Sequence, residues 1–345
     1  MTPASTSNTQ SAETGRATTE VAPKKNRPRA TRLRQQQLPA WQPILTSTTV
    51  IPTIFVIGLV FIPIGILLYM ASLSVEEIVL PYDNCTQENC ELTFYVEKDM
   101  KAPVYFYYGL ENYFQNHRRY MKSRNDRQLL GDLEAIDGCL HYDYGYNEQG
   151  KRLKIAPCGA IAASKFNDTF HLFREMEKGS VKVPWTYKGI VWDVDRTLKF
   201  RNPPVGPNET LCDVIDRVSV QPVNWGKKKL CELDLQNPDN NGLQNADLIV
   251  WMRTAALPDF RKPYRILDGS QTEMFRTGLP VGKYRLEIEN NYPVSAVSGK
   301  KSFIASTTSW AGGKNDFLGI AYITVGVICI ILSAVFLVIH RKFGY

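Results

Sequence analysis

No aspartate, glutamate, lysine, arginine or histidine occurs between Gln35 and Val75, and none between Phe317 and Ile339. A soluble core helix seldom needs so long an uncharged stretch. The apolar part of the first run, Ile51–Leu73, forms a helix about 34 Å long at 1.5 Å per residue, against ~30 Å of bilayer hydrocarbon. Both runs therefore predict membrane spans. Because ionisable side chains normally mark ion paths and proton relays, their absence argues against either route through these spans.

Histidine is scarce, and the three between the spans, His117, His141 and His171, have no H-x-x-x-H or C-x-x-C companion. That argues against a metal centre. No G-x-S-x-G is present. Gly312-Gly313-Lys314-Asn315 lacks both the leading glycine of a phosphate loop and the Ser or Thr after its lysine, so it reads as a hinge. Asp193-Val194-Asp195 alone invites chemistry, as a D-x-D pair holding a metal-bound nucleotide sugar in a lumenal glycosyltransferase. Asp195-Arg196-Thr197 is not followed by the glycine of an aspartyl-phosphate site. No nucleophile, base and oxyanion hole occur together, no internal repeat is visible, and no cofactor is predicted. The residues do not describe an enzyme.

What is present is charge at the two ends. Residues 1–48 carry seven basic side chains against Glu13 and Glu20, and the last residues add Arg341 and Lys342. The net +7 is thereby accounted for, and the intervening region is neutral. A uniformly basic nucleic-acid-binding domain is not indicated. Positive flanks outside both spans place both termini in the cytosol and the middle in the lumen or outside the cell. Residues 1–34 read as a disordered basic tail, its Lys24–Arg34 cluster facing anionic lipid rather than RNA. Residues 35–48 read as a cytosolic juxtamembrane strip, 49–75 and 317–339 as the spans, 76–316 as the ectodomain and 340–345 as a short cytosolic tail. The first span starts too far from the N-terminus for a cleaved signal peptide and reads as a signal anchor.

Six of the seven cysteines fall in the ectodomain; Cys329 lies in the second span. An even count in an oxidising compartment implies disulfides. Of fifteen pairings, the sequential one is favoured: Cys85–Cys90, Cys139–Cys158 and Cys212–Cys231. Sequons occur at Asn84, Asn167 and Asn208. Chance alone gives roughly 1.5, so the topology supports glycosylation more than the count does. Short aromatic and β-branched runs predict strands over Leu92–Val96, Val104–Leu110, Leu248–Arg253, Lys283–Glu289 and Ser302–Thr308. The last two are expected to form a hairpin with a long loop. Tyr113–Arg124 and Asp168–Lys178 are expected as helices, and Arg201–Pro207 and Asn237–Gly242 as exposed loops. The expected fold is an integral membrane protein whose two helices flank a large, mostly antiparallel-β ectodomain with a few short helices.

Pro52 falls in the first turn of the first span and Pro63 inside it, where a kink is expected. Gly58, Gly65 and Ser72 recur every seven residues, as do Gly319, Gly326 and Ser333. Small residues at that spacing share one helix face and admit a second helix, so the four glycines are candidate partner-binding residues. Before the first span, Gln35, Gln36, Gln37, Leu38, Pro39 and Trp41 form an uncharged strip. It reads as an interfacial anchor or as a docking strip for a partner's cytosolic face.

Five stretches in order resemble one family: QQQLPAWQPILT (35–46), IPIG (62–65), FNDTF (166–170), LIVWMRTAALPDFRKPY (248–264) and TTSWAGGKNDFLGIAYITVG (307–326). They are similar to the accessory β-subunits of lipid flippases, the ligand-effect modulator 3 / cell division control protein 50 family, over residues 33 to 340. The resemblance implies a non-catalytic partner, one to one, of a type-IV P-type ATPase α-subunit, which itself carries ATP hydrolysis and the phosphorylated aspartate. It implies support for that enzyme's exit from the endoplasmic reticulum, its stability and its transport of phospholipid to the cytosolic leaflet. The implied locations are Golgi, endosome or plasma membrane. It also implies that residues 35–41 touch the partner's cytosolic side and that Asn167 is the family's sequon. A two-span ligand-gated channel subunit is the rival reading, and the lumenal glycosyltransferase the third.

Overall fold

The computed structural model describes residues 29, 31–40, 45–85, 87–226, 228–294 and 298–344. Two long helices, α1 (Ser47–Leu73) and α7 (Asp316–Phe343), are long and apolar enough to cross a membrane. Helix α1 runs through both Pro52 and Pro63. Asn315 caps α7 by accepting from the Leu318 N–H, satisfying a donor that the first turn leaves free. The two helices pack antiparallel, so both chain ends leave the same end of the pair.

Between them lies a β-rich ectodomain. One sheet has the order β1 (Glu77–Pro81), β14 (Lys300–Thr307), β4 (Val104–Glu111), β11 (Phe260–Leu267) and β9 (Trp185–Thr186), all antiparallel. A second runs β2 (Asn89–Val96), β13 (Gly282–Glu289), β7 (Thr169–Met176) and β8 (Gly179–Lys182), also antiparallel. Smaller sheets join β10 (Ser219–Val220), β6 (Arg152–Ile155) and β5 (Tyr144–Tyr146), and β12 (Gly278–Leu279) with β3 (Met100–Lys101). Only the β10–β6 pair is parallel among these. The two main sheets share one core, where Phe170 of β7 meets Phe303 of β14 and Tyr264 of β11 with ring centroids 5.0 and 5.1 Å apart. Short helices α2 (Arg118–Lys122), α3 (Asp126–Leu129), α4 (Ala160–Ala163), α5 (Leu211–Val218) and α6 (Ala246–Met252) lie in the connections between strands.

The three cysteine pairs are Cys85–Cys90, Cys139–Cys158 and Cys212–Cys231, with Cα atoms 6.1, 5.6 and 5.1 Å apart. Each closes a loop within one local region, which restricts the unfolded chain more than the folded one.

Several sequence expectations are corrected. Leu248–Arg253 is not a strand: it lies in α6, where Asn245 caps the first turn and Asp247 follows it. Leu248, Ile249, Val250, Trp251 and Met252 are all buried, so a helix enclosed on every side has the composition of a buried strand. Asp168–Lys178 is not a helix but contains β7, whose Phe170 and Leu172 point inward between less buried neighbours. Lys283–Glu289 and Ser302–Thr308 do not form a hairpin. Strand β13 pairs with β2 and β7, and β14 with β1 and β4, so the connection crosses between sheets. Helix in Tyr113–Arg124 is confined to α2. Asn237–Gly242 is not wholly exposed, because Asn240 is buried and donates to Asp234 at 2.8 Å.

Candidate functional site

The FNDTF stretch builds the junction of the two main sheets. Phe166 stacks face to face on Tyr108, centroids 3.9 Å apart. Asp168 is buried and accepts from Tyr82 Oη at 2.8 Å, Lys301 Nζ at 2.7 Å, and the backbone N–H groups of Asn291 and Tyr292 at 2.6 Å each. Lys301, also buried, donates further to the Tyr292 carbonyl at 2.7 Å. Burial pulls the Lys301 ammonium below its ordinary value, while the Asp168 charge opposes that shift. One carboxylate thus ties β1, the start of β7 and the crossover to β14 together. Neither Asp168 nor Lys301 was singled out from sequence. The available signal was a lysine two positions before the apolar run Phe303-Ile304-Ala305.

The 248–264 stretch and the residues on either side of it hold α6 against β11. Arg265 grips Asp247 through two hydrogen bonds, Nη1 to Oδ1 at 2.6 Å and Nη2 to Oδ2 at 3.2 Å. Burial alone would raise the Asp247 carboxyl, but the Arg265 charge and hydrogen bond bring it below the ordinary range. At the other end of α6, Lys262 Nζ donates to the carbonyls of Val250, Trp251 and Arg253 at 3.0, 2.9 and 2.5 Å. These are carbonyls left free where a helix stops. Burial, and then the nearby Arg253 charge, lower Lys262 to about 7. The folded side chain therefore releases its proton near pH 7, whereas the unfolded one keeps it to about 10.4. Between those values the unfolded chain holds more protons, so stability rises with pH. The full chain in detergent is expected to gain about 1 kcal/mol between pH 7 and pH 8, and Lys262→Met to lose that slope. Equal pH dependence of thermal unfolding in both proteins would refute this.

The small residues of the spans face each other. A methyl on Gly58 would lie 2.8 Å from the Gly326 carbonyl oxygen, and one on Gly65 2.9 Å from that of Gly319. On Gly319 it would lie 2.8 Å from the Tyr69 backbone nitrogen, and on Gly326 2.7 Å from Ile62 Cγ1. Ser72 Oγ donates to Asp316 Oδ1 at 2.5 Å and accepts the Asn315 N–H at 2.9 Å, while Ser333 Oγ donates to the Ile51 carbonyl at 3.1 Å. The expectation that Gly58, Gly65, Gly319 and Gly326 receive a partner's helix is thereby corrected, since the approaching helix is the chain's own. The outward faces remain apolar, with Phe55, Leu59, Leu67, Ile331 and Val338 exposed.

Of the juxtamembrane strip, Gln35, Gln36, Gln37, Leu38 and Pro39 are exposed after a turn closed by the Gln37 N–H on the Arg32 carbonyl. Trp41 lies outside the described residues, as do residues 1–28 of the basic tail. Asn84 and Asn208 are exposed. Asn167 is half-buried, and its Oδ1 is buried without a hydrogen-bond partner. Asp195 is buried and bonded to Lys199 at 2.6 Å, while Asp193 is exposed, so the two carboxylates do not form an open pair. His117 and His141 are exposed and His171 half-buried, on separate elements. Among the described residues, the one group with metal-donor proximity is Cys212, Cys231 and Glu232, and its sulfurs are joined in a disulfide. A surface patch does stand out beside α6. Trp192, Val194 and Leu198 are exposed next to a cleft of about 330 Å³ lined by Ile249, Met252 and Arg253. The Arg253 guanidinium sits 5.1 Å from the Trp192 ring centroid. Exposed aromatic and apolar groups ringed by charge are the composition of an association surface.

The sequence as a whole is similar to known proteins. The model of the LEM3 (ligand-effect modulator 3) family / CDC50 family matches residues 68–344. The chain is 46% identical to mouse Cell cycle control protein 50A over 339 residues, covering 93% of this chain and 91% of the relative. It is 41% identical to human Cell cycle control protein 50B over 340 residues, covering 92% and 95%. It is also 41% identical to the Putative ALA-interacting subunit 4 of Arabidopsis thaliana over 329 residues, covering 90% and 88%. A family match over most of the chain and this extent of likeness show that the chain belongs to the LEM3/CDC50 family.

Proposed function

We propose that this protein is the non-catalytic β-subunit of a phospholipid-translocating type-IV P-type ATPase. The observation that carries the reading is family membership, with likeness to a single relative over 93% of the chain. The geometry supports it. A self-paired span unit with apolar outer faces suits lateral docking on a larger membrane protein. Patches such as Trp192–Leu198 give the ectodomain a surface for its partner's outer loops. Both termini lie in the cytosol, where residues 35–41 touch the ATPase; the ectodomain carries glycans on Asn84, Asn167 and Asn208. The subunit supports the enzyme's exit from the endoplasmic reticulum, its stability and its transport of phospholipid from the outer or lumenal leaflet to the cytosolic one.

The gently solubilised complex is expected to have the mass of one such chain and one large ATPase. A homo-trimer carrying ionic current would favour the channel reading and refute this one. Within the complex, Trp41→Ala is expected to lower lipid-stimulated ATP turnover severalfold while leaving co-purification intact. Unchanged turnover would reject the docking role of the strip.

A further inference from the structure

The ladder of small residues that holds α1 against α7 does not reach the end of the pair from which both termini leave. Its last rung is Ser333 on the Ile51 carbonyl. One step of seven further along α7 stands His340, a large side chain, and there the helices part around an open cleft of about 410 Å³. Its walls are mostly apolar, formed by Leu45, Val50, Ile51, Phe336, Ile339 and Phe343, with Thr46, Ser47 and His340 also lining it. Arg341 and Lys342 are exposed in the same last turn of α7. No acidic side chain lies between Glu20 and Glu76 or after Asp316 in the sequence.

An apolar void of this size beside hydrocarbon loses dispersion contacts unless something fills it, and its volume is that of a small-molecule site. Cations at a membrane surface attract anionic lipid at about 1 kcal/mol each. We infer that the cleft holds an acyl chain of an anionic phospholipid, with the headgroup on Arg341 and Lys342. The inference rests on the spans and their flanking charge, and not on the ATPase assignment.

The test is native mass spectrometry of the full chain, purified in detergent and supplied with dioleoylphosphatidylglycerol or dioleoylphosphatidylcholine. Wild type is expected to retain phosphatidylglycerol in preference to phosphatidylcholine. Val50→Trp, which fills the cleft without altering charge, is expected to lose the retained lipid. Arg341→Gln with Lys342→Gln is expected to weaken retention of phosphatidylglycerol roughly thirtyfold, the equivalent of about 2 kcal/mol. Equal retention of the two lipids by wild type would overturn the inference, and so would undiminished phosphatidylglycerol on Val50→Trp. Wild type carrying no lipid would overturn it as well.

Discussion

Asp168→Ala is expected to destabilise the ectodomain by about 3–5 kcal/mol, the usual consequence of removing one partner of a buried ion pair. The change strands the Lys301 ammonium, whose side chain is 3% exposed, in the core beside Tyr82 and leaves two crossover N–H groups unpaired. A domain whose total stability lies in the usual range of 5–15 kcal/mol would be mostly unfolded or severely weakened. The substitution preserves the Asn-x-Thr sequon at Asn167, so a folding defect can be read separately from a glycosylation defect. Thermal unfolding of the full chain in detergent measures the loss, and retention of the glycosylated chain in the endoplasmic reticulum reports it in cells. Pairing Asp168→Asn with Lys301→Met removes both charges and keeps an acceptor for Asn291 and Tyr292, so about half the stability should return. A loss below about 1 kcal/mol for Asp168→Ala would show that this pair is not a central tie of the two sheets.

Gly326→Leu is expected to separate the spans even when the chain is expressed without a partner. Its first added carbon would meet Ile62 Cγ1 at 2.7 Å and the Gly58 carbonyl and Ile62 nitrogen at 3.2 Å. The side chain can turn away but the backbone atoms cannot. Overpacking of this kind weakens a contact by about 1–3 kcal/mol, a fivefold to 150-fold shift of the pairing equilibrium. Ile62→Ala in the same chain should restore part of it by making room. Thermal stability of the isolated chain and the yield of co-purified ATPase are the two readouts. A glycine used for partner binding would affect only the second, whereas a glycine used between this chain's spans affects both. Normal stability of the isolated Gly326→Leu chain would therefore reverse the assignment made for this face.

The same glycines show how far residue patterns reach. Recurrence at seven positions marked a close-approach face correctly, yet it carries no information about which helix approaches. That depends on the ectodomain returning Asn315 to Ser72, so that α7 starts beside the end of α1. Leu248–Arg253 and Asp168–Lys178 failed for a related reason. In the first, Leu248–Met252 is buried on all sides, which removes the periodicity that separates strand from helix. The second has charged and polar residues that read as a helix until β13 supplies its partner edge. Lys262, Asp168 and Lys301 look like surface charges in the sequence because their partners are backbone groups and side chains as many as 133 positions away.

The amino-acid sequence by itself determined the two spans, the β-rich middle and the short-range cysteine pairs. Each depends on properties local to a stretch of chain, its hydropathy, alternation or loop length. Only the tertiary structure decided which helix fills the glycine face, which strands share a sheet, and where Asp168 finds a cation. Those outcomes depend on the simultaneous burial of distant residues, for which no single segment carries the information.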